Sequence, residues 1–342
     1  MKAKQKTLGI LLVLILLAGA ALAFVVNANT PAEQAASAAE EGTIPLSSFA
    51  VEDLTQIQYT YQEETLLLNY DGENWTLADD PDYHLNQTLC NSMAAALCDF
   101  NAKRQLTAEE GESYGTESPL LTVQVTAAGQ TSRFTFGDTN PVTGDIYLQK
   151  EGDTAIYTAS SSKAECFEYT KEALFESFNP TGLSSSELEQ VEYTVSEGDQ
   201  SYTVCLQAVS QPVEEDAADS TESAESEAVE YTTVWRLTSE PEAVLDETVL
   251  DQIFSSLTSY VSGQITGAAL ADYGLDAPAV TVRATTSDTV VNLRYSIAED
   301  GCYLWVEGDG SIYRVDLTTV QNLCRTPAEL TGTENTETAS GL

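Results

Sequence analysis

Three aspartates form the densest group of side-chain oxygens in the region where regular structure is expected. Asp79, Asp80 and Asp82 flank a proline just before His84. Carboxylate oxygens bind calcium, but a calcium site needs about six to eight oxygens at fixed positions, and the spacing of an EF-hand loop is absent. The cluster is therefore interpreted as a solvated loop that leads into a helix capped by Asn86.

The residues for nucleophilic or zinc chemistry are few. His84 is the only histidine, and no recognised Ser or Cys nucleophile motif accompanies it. The cysteines show no CxxC spacing, so we interpret them as mostly buried free thiols, while a disulfide among them stays open. They are Cys90, Cys98, Cys166, Cys205, Cys302 and Cys324.

The stretch from Gly137 to Gly144 has the glycines of a loop that could hold an anion through backbone amides. It lacks the lysine of a phosphate-binding loop and the helix that follows such a loop. Its Asn-Pro step and its glycines are typical of a turn between two strands. We therefore predict a structural turn.

Tyrosines and carboxylates leave two alternatives open. Sixteen tyrosines suit carbohydrate stacking, but the recurrence of Tyr59 as Tyr193 and of Tyr157 as Tyr313 at strand positions favours packing. Carboxylate pairs of the glycosidase type are not marked out by equivalent, apolar-flanked positions. The sequence thus predicts no catalytic, cofactor-binding or metal-binding residue, and no cofactor.

The charge of the chain is strongly unbalanced. It has 14 basic and 54 acidic residues, which gives a net charge of −40. Such a surface repels phosphate backbones and anionic lipid headgroups. We therefore predict no nucleic-acid binding.

The N-terminus predicts the compartment. Three lysines precede an apolar run from Leu8 to Val26, close to the roughly 20 residues that cross a bilayer core. Lysines on this flank favour a cytoplasmic N-terminus and an extracytoplasmic remainder. We predict an uncleaved signal-anchor over residues 1–26, hence a single-pass protein of the cell membrane. The alternative is cleavage after Ala23, which would make the protein secreted.

The chain contains an internal duplication. Trp75-Thr76-Leu77 recurs as Trp235-Arg236-Leu237, a shift of 235 − 75 = 160 residues, and Tyr114-Gly115 recurs as Tyr273-Gly274. At the first shift, two apolar stripes with helical spacing also coincide. The stripes are Leu85, Leu89, Met93 and Leu97 in the first copy and Leu245, Val249, Ile253 and Leu257 in the second. The shared order of the matches indicates a tandem duplication.

The second copy carries an insertion before its tryptophan. Residues 210–230 include eight acidic residues and no basic one. Such a stretch has too little apolar surface to offset the entropy of ordering it, so we predict a disordered loop at a hairpin tip.

The predicted fold class is α+β, with an N-terminal transmembrane helix followed by two duplicated units of mainly antiparallel sheet with packed helices. Helices are predicted over residues 85–100, 162–178, 246–260 and 317–324. The predicted organisation is an anchor over 1–26, a tether over 27–43, a first repeat over 44–182, a second repeat over 183–325 and a disordered tail over 326–342.

These motifs resemble a family of exported, membrane-anchored bacterial proteins. Tyr114-Gly115-x-x-x-Pro119 and Tyr273-Gly274-Leu275-Asp276-x-Pro278 each precede a Thr-Val strand, and Gly137-Asp138-x-Asn140-Pro141 leads into an Ile-Tyr hairpin in the first copy alone. With the N-terminal segment, they resemble the domain of unknown function 4340 over about Ile44 to Cys324. The resemblance implies a membrane-associated extracytoplasmic protein without an assigned reaction, and a transporter of the gliding-motility type as a partner class.

The function expected from these observations is that of a non-catalytic binding or scaffold module for another envelope protein or an ABC-transporter-associated protein. One alternative is a carboxylate hydrolase that acts on cell-wall polymer. A calcium- or glycan-binding module is the other.

Overall fold

The structure is a computed structural model, and the described part of the chain forms two compact units. The described residues are 44–107, 112–198, 200–212 and 231–332. The first unit holds residues 44–81 and 86–174, and the second holds residues 82–85 and the chain from Phe175 onward. The predicted anchor and tether, residues 1–43, lie outside the described residues.

The first unit is built on an eight-stranded antiparallel sheet. Its strands are β1 (Ile44–Ser48), β2 (Leu54–Tyr61), β3 (Glu64–Tyr70), β4 (Trp75–Leu77), β5 (Asp99–Ala102), β6 (Arg104–Leu106), β7 (Leu121–Ala127), β8 (Gln130–Thr139), β9 (Ile146–Lys150) and β10 (Ile156–Ala159). The sheet order is β4-β3-β2-β7-β8-β9-β10-β6, and β1 pairs separately with β5. The helices are α1 (Gln87–Cys98) and α2 (Ser162–Glu165).

The second unit repeats this architecture. Its strands are β11 (Leu188–Glu197), β12 (Gln200–Pro212), β13 (Tyr231–Leu237), β14 (Gly263–Thr266), β15 (Val280–Thr286), β16 (Val290–Ala298), β17 (Gly301–Val306) and β18 (Ser311–Val315). Their order, β13-β12-β11-β15-β16-β17-β18-β14, matches the first sheet strand for strand. Its helices are α3 (Glu247–Leu257), α4 (Leu317–Asn322) and α5 (Pro327–Leu330). The predicted duplication is confirmed.

Helices α1 and α3 each begin at an Asx cap, and α3 buries its apolar residues in the same core as the second sheet. Along β7, buried residues alternate with half-buried ones, because successive side chains of a strand point to opposite faces. The side chain of Asn86 accepts the Leu89 N–H at the start of α1, and that of Asp246 accepts the Val249 N–H at the start of α3. These caps satisfy first-turn amides, as the sequence predicts.

Three of the four residues in each predicted stripe are buried, and the second residue of each stripe is the exception. Leu89 and Val249 are only half-buried. The buried residues are Cys90, Met93, Ala94 and Leu97 in α1 and Leu250, Ile253, Phe254, Ser256 and Leu257 in α3. The buried face of each helix is therefore centred about one residue further along than the pattern indicates.

The predicted α+β class is wrong, since each unit is mainly an antiparallel sheet with few helices. The helix predicted over 162–178 reduces to α2 and one 3₁₀ turn at Glu172–Leu174. The backbone between α2 and this turn is instead bound by side chains of the sheet. Tyr59 donates to the Tyr169 carbonyl at 2.8 Å, and Glu64 accepts the Lys171 N–H at 3.2 Å.

The predicted transmembrane helix falls on residues 1–26, which lie outside the described residues. Among the described residues, no helix is long and apolar enough to cross a membrane. At the other end of the chain, Leu330 of α5 is fully buried, so the second unit extends beyond the predicted boundary at residue 325. The remainder of the predicted tail, residues 333–342, lies outside the described residues.

Candidate binding groove

The acidic loop does not come together as one cluster. Asp80 pairs with the Lys171 ammonium at 2.8 Å in the first unit, whereas Asp82 belongs to the second unit, where its carbonyl accepts from Gln264 at 3.0 Å. In the parts of the chain that the structure describes, no group of three or more His, Cys, Asp or Glu residues is placed to hold a metal ion. His84 packs its ring against Phe178, with 4.1 Å between the ring centroids.

The glycine-containing turn uses its backbone groups internally. Asn140 Oδ1 accepts the N–H groups of Val142 and Thr143, and the Gly144 N–H donates to the Asn140 carbonyl. Gly137 is required for another reason, because a Cβ on it would lie 1.9 Å from the Tyr114 carbonyl oxygen. The stretch thus works as the structural turn that the sequence predicts.

Two of the cysteines, Cys90 and Cys166, are poor nucleophiles. All six are free thiols. Burial raises the pKa of Cys90 to about 12 and that of Cys166 to about 11. Because the thiolate is the reactive form, both side chains are inert near neutral pH.

Equivalent tyrosines have equivalent structural roles. The Tyr59 hydroxyl donates to the Tyr169 carbonyl, and the Tyr193 hydroxyl donates to the Arg325 carbonyl at 2.6 Å. Burial raises the pKa of both tyrosines above its ordinary value. These two residues serve packing, in agreement with the prediction from their recurrence.

The second unit contains a groove of about 560 Å³ between the edge strand β13 and helix α3. Its apolar floor includes Trp235 and Phe254, whose ring centroids are 4.6 Å apart. Its rim carries Val244, which is 81 % exposed, and the exposed carboxylates of Glu247 and Asp251. The lining also includes Arg236, whose guanidinium donates to Gln211 Oε1 at 2.9 Å. The groove therefore combines an apolar floor with polar sides on which acidic side chains outnumber basic ones.

The corresponding place in the first unit is closed. Trp75, the counterpart of Trp235, is only 2 % exposed and stacks on Tyr70, with 4.7 Å between the ring centroids. Its indole N–H donates to Asn91 Oδ1 at 3.0 Å. Gln87 binds both backbone groups of Trp75: Oε1 accepts its N–H at 2.8 Å, and Nε2 donates to its carbonyl at 3.0 Å.

Three substitutions account for the difference between the two places. At the shift of 160, Gln87 corresponds to Glu247 and Asn91 to Asp251. Tyr70 pairs with Trp75 across the strands, and the residue that pairs with Trp235 is Ala208. Alanine leaves the face of the indole uncovered, and an ionised glutamate accepts hydrogen bonds but cannot donate one.

The outer edge of β13 presents free backbone groups. The Thr238 N–H donates to the Cys205 carbonyl, so by strand alternation Arg236 and Val234 face β12, whereas Trp235 and Thr233 face away from it. Strand β13 ends its sheet, and among the described residues no partner takes up these outward N–H and C=O groups. An exposed strand edge of this kind is a template for pairing with another chain.

The β12–β13 hairpin extends beyond the groove as an arm. Four residue pairs follow the Ala208–Trp235 pair, from Val209–Val234 to Pro212–Tyr231, and Tyr231 is 63 % exposed. In the first unit, the chain turns at Asp71 directly after the equivalent pair. The predicted insertion over 210–230 starts on this arm, and its residues 213–230 lie outside the described residues.

The comparison with protein families gives one match. The family model of DUF4340, a domain of unknown function, covers residues 75–233. The resemblance to this family is confirmed. The DUF4340 match is narrower than the predicted span from Ile44 to Cys324. Its 233 − 75 + 1 = 159 residues correspond to one period of the duplication, starting at Trp75 and ending two residues before Trp235.

Two further comparisons were negative. No curated protein and no solved structure matches the chain. The match to DUF4340 carries no reaction, so the groove has to be interpreted from its own chemistry.

Proposed function

We propose that this protein is a non-catalytic binding module, held outside the cytoplasm at the cell membrane, that captures another envelope or transporter-associated protein at the groove beside Trp235. The observation that carries the proposal is the contrast between the two copies. The first copy buries its tryptophan with its own side chains. The second leaves the equivalent indole partly exposed as part of the apolar floor of a groove, and an apolar concavity with a few polar groups is the usual form of a binding site.

The location follows from the N-terminal sequence. The apolar run from Leu8 to Val26 behind three lysines is typical of an export signal that also serves as an anchor. The high negative charge of the remainder suits a soluble domain that avoids anionic lipid surfaces. Cleavage after Ala23 would release the same two units without changing the groove.

A binding role is favoured over hydrolysis by the position of the acids. Glu247 and Asp251 stand one helical turn apart on the same helix and are both exposed. A glycosidase needs two carboxyl groups on opposite sides of the scissile bond, one of them kept protonated by its surroundings. Neighbours on one solvated helix face suit an acidic rim better than an acid–base pair.

Site-specific photo-crosslinking of the full chain in its native membranes tests the proposal. A benzophenone amino acid at Val244, on the rim of the groove, is expected to give a discrete adduct with one partner protein. The matched control is Val142 in the first unit, which is 78 % exposed and lies on the predicted structural turn. The adduct from Val244 should disappear with the additional change Trp235→Ala.

Two results would overturn the proposal. Equal adducts from both positions would indicate non-specific contact, and an adduct that survives Trp235→Ala would place the partner elsewhere. An adduct that only wall-degrading enzymes remove would favour the glycan-binding alternative.

A further inference from the structure

We infer that the groove binds its partner by strand addition: an extended, basic segment of another protein pairs with the outer edge of β13 and becomes the ninth strand of the second sheet. This inference rests on the proposed function, and it specifies the backbone conformation and the charge of the segment that is bound. Three features of the described residues support it.

The first feature is the way in which the first unit closes its own edge. The side-chain amide of Gln87 accepts the Trp75 N–H and donates to the Trp75 carbonyl, at 2.8 and 3.0 Å. A neighbouring antiparallel strand makes the same pair of hydrogen bonds with the N–H and the C=O of one residue. Gln87 therefore occupies, within its own unit, the place that an added strand would take.

The second feature is the substitution of this residue in the second unit. Glu247 stands at the position of Gln87, and its carboxylate can accept an N–H but has no proton to give to a carbonyl. The outward N–H and C=O groups of Trp235 and Thr233 are spaced as the next strand of an antiparallel sheet requires. The edge is thus suited to a peptide backbone.

The third feature is the chemistry on either side of the edge. Side chains of an added strand alternate between two faces, so every second residue would lie over the apolar floor formed by Trp235 and Phe254. Glu247 and Asp251 outnumber Arg236 in the lining, and the Arg236 guanidinium already donates to Gln211 Oε1 at 2.9 Å. In a chain of net charge −40, the two carboxylates favour lysine or arginine in that segment. Recognition of an extended peptide by main-chain hydrogen bonds together with alternating pockets is a recurrent binding mode.

A proline at Thr233 tests the backbone pairing directly. The Thr233 N–H points away from β12, so Thr233→Pro removes a donor from the outer edge and leaves the β12–β13 ladder intact. Thr233→Ala is the matched control, since it removes the side chain and keeps the N–H. The probe is a fluorescent peptide of alternating valine and lysine, titrated against the full chain in detergent at about 0.15 M salt to screen long-range attraction.

We expect Thr233→Pro to weaken binding by at least about tenfold and Thr233→Ala by less than about twofold, at unchanged circular dichroism and thermal midpoint. A peptide of alternating valine and glutamate should bind at least about tenfold more weakly than the lysine peptide. Trp235→Ala should abolish binding of the lysine peptide through loss of the apolar floor.

The outcomes separate the two proposals. If Trp235→Ala abolishes binding but Thr233→Pro does not, the groove binds through side chains alone and strand addition is wrong. If the peptide does not bind at all while the Val244 crosslink forms, strand addition by a basic segment is also wrong and the binding function stands. If the protein were a dimer that Thr233→Pro converted to a monomer, the outer edge of β13 would pair with a second copy of this chain. The inference of a basic segment from another protein would then be wrong.

Discussion

The two units share a sheet order and a tryptophan at the equivalent position, yet one unit buries that residue and the other leaves it partly exposed. In the first unit, Trp75 is held by an aromatic neighbour and by two amide side chains. In the second, an alanine and two carboxylates stand at the same places. The comparison shows that this fold does not require the contacts that enclose Trp75, because Trp235 packs against the second core without them.

The largest expected difference between the units concerns the tryptophans themselves. Trp75→Ala should lower the free energy of unfolding by about 3–5 kcal/mol, since it opens a cavity in the first core. Trp235→Ala should cost about half as much or less, because that indole is already half-exposed. Guanidinium unfolding, with hydrogen exchange to assign the loss to a unit, measures both changes. Equal losses would mean that the groove is not open in solution.

The next test exchanges the amide and the acid at equivalent positions of the two units, as Gln87→Glu and Glu247→Gln. Gln87→Glu should destabilise the first unit by about 1–3 kcal/mol, because it leaves the Trp75 carbonyl without its donor. Glu247→Gln should stabilise the second unit by about 0.5–1.5 kcal/mol through the reconstructed pair of hydrogen bonds, and it should compete with the added strand. Thermal unfolding and peptide titration check the two effects. If Glu247→Gln were more stable and still bound the peptide as tightly as the parent protein, the outer edge of β13 would not be the binding site.

A third contrast lies in the two cores. Phe136 and Tyr295 occupy equivalent positions opposite Leu121 and Val280. The Tyr295 hydroxyl is buried and has no hydrogen-bond partner among the described residues. Tyr295→Phe should therefore leave the second unit unchanged or stabilise it by up to about 1 kcal/mol, and Phe136→Tyr should destabilise the first by a similar or larger amount. Urea midpoints measured on both variants would contradict this if Tyr295→Phe were clearly destabilising.

The smallest expected effect is a pH dependence at a turn of the first unit. The hydrogen bond from the Tyr157 hydroxyl, followed by that from the Ala155 N–H, lowers the pKa of Asp153 below its ordinary value. A lowered folded-state pKa adds stability above the unfolded pKa, and this stability is lost as the pH falls through the folded value. Tyr157→Phe should raise the Asp153 pKa and weaken that acid dependence. An NMR titration of the carboxyl group that shows no rise would contradict the assignment.

The duplication could be predicted from sequence because single residues marked it. Trp75 and Trp235, the Tyr-Gly pairs and the Asx caps keep their order, and local chemistry explains each of them. The Asx caps were placed correctly for the same reason, since a cap depends on two or three neighbouring residues.

The fold class and the groove depended on non-local contacts. The helix predicted over 162–178 fails because Tyr59 and Glu64, far away in sequence, bind the backbone there.

The groove could not be predicted from the sequence, because the insertion changes the shift that aligns the two copies. Tyr70 corresponds to Ala208 at 208 − 70 = 138, whereas the tryptophans correspond at 160, and strand pairing alone reveals this. The exchange of Gln87 for Glu247 was visible in the sequence, but its meaning needed the two hydrogen bonds to Trp75.

Residues 82–85 have a consequence for biosynthesis. They are synthesised early, within the first unit, but belong to the second unit. There the His84 N–H donates to Gln264, a residue 180 positions later. At the usual rates of synthesis, the tetrapeptide therefore waits roughly ten to forty seconds before its partner is made. Tyr83, buried in the finished protein, waits a shorter time, because it packs against Phe175, made 175 − 83 = 92 residues later, with 5.8 Å between the ring centroids. The segment is thus made with the first unit but gains its native contacts only as the second is synthesised.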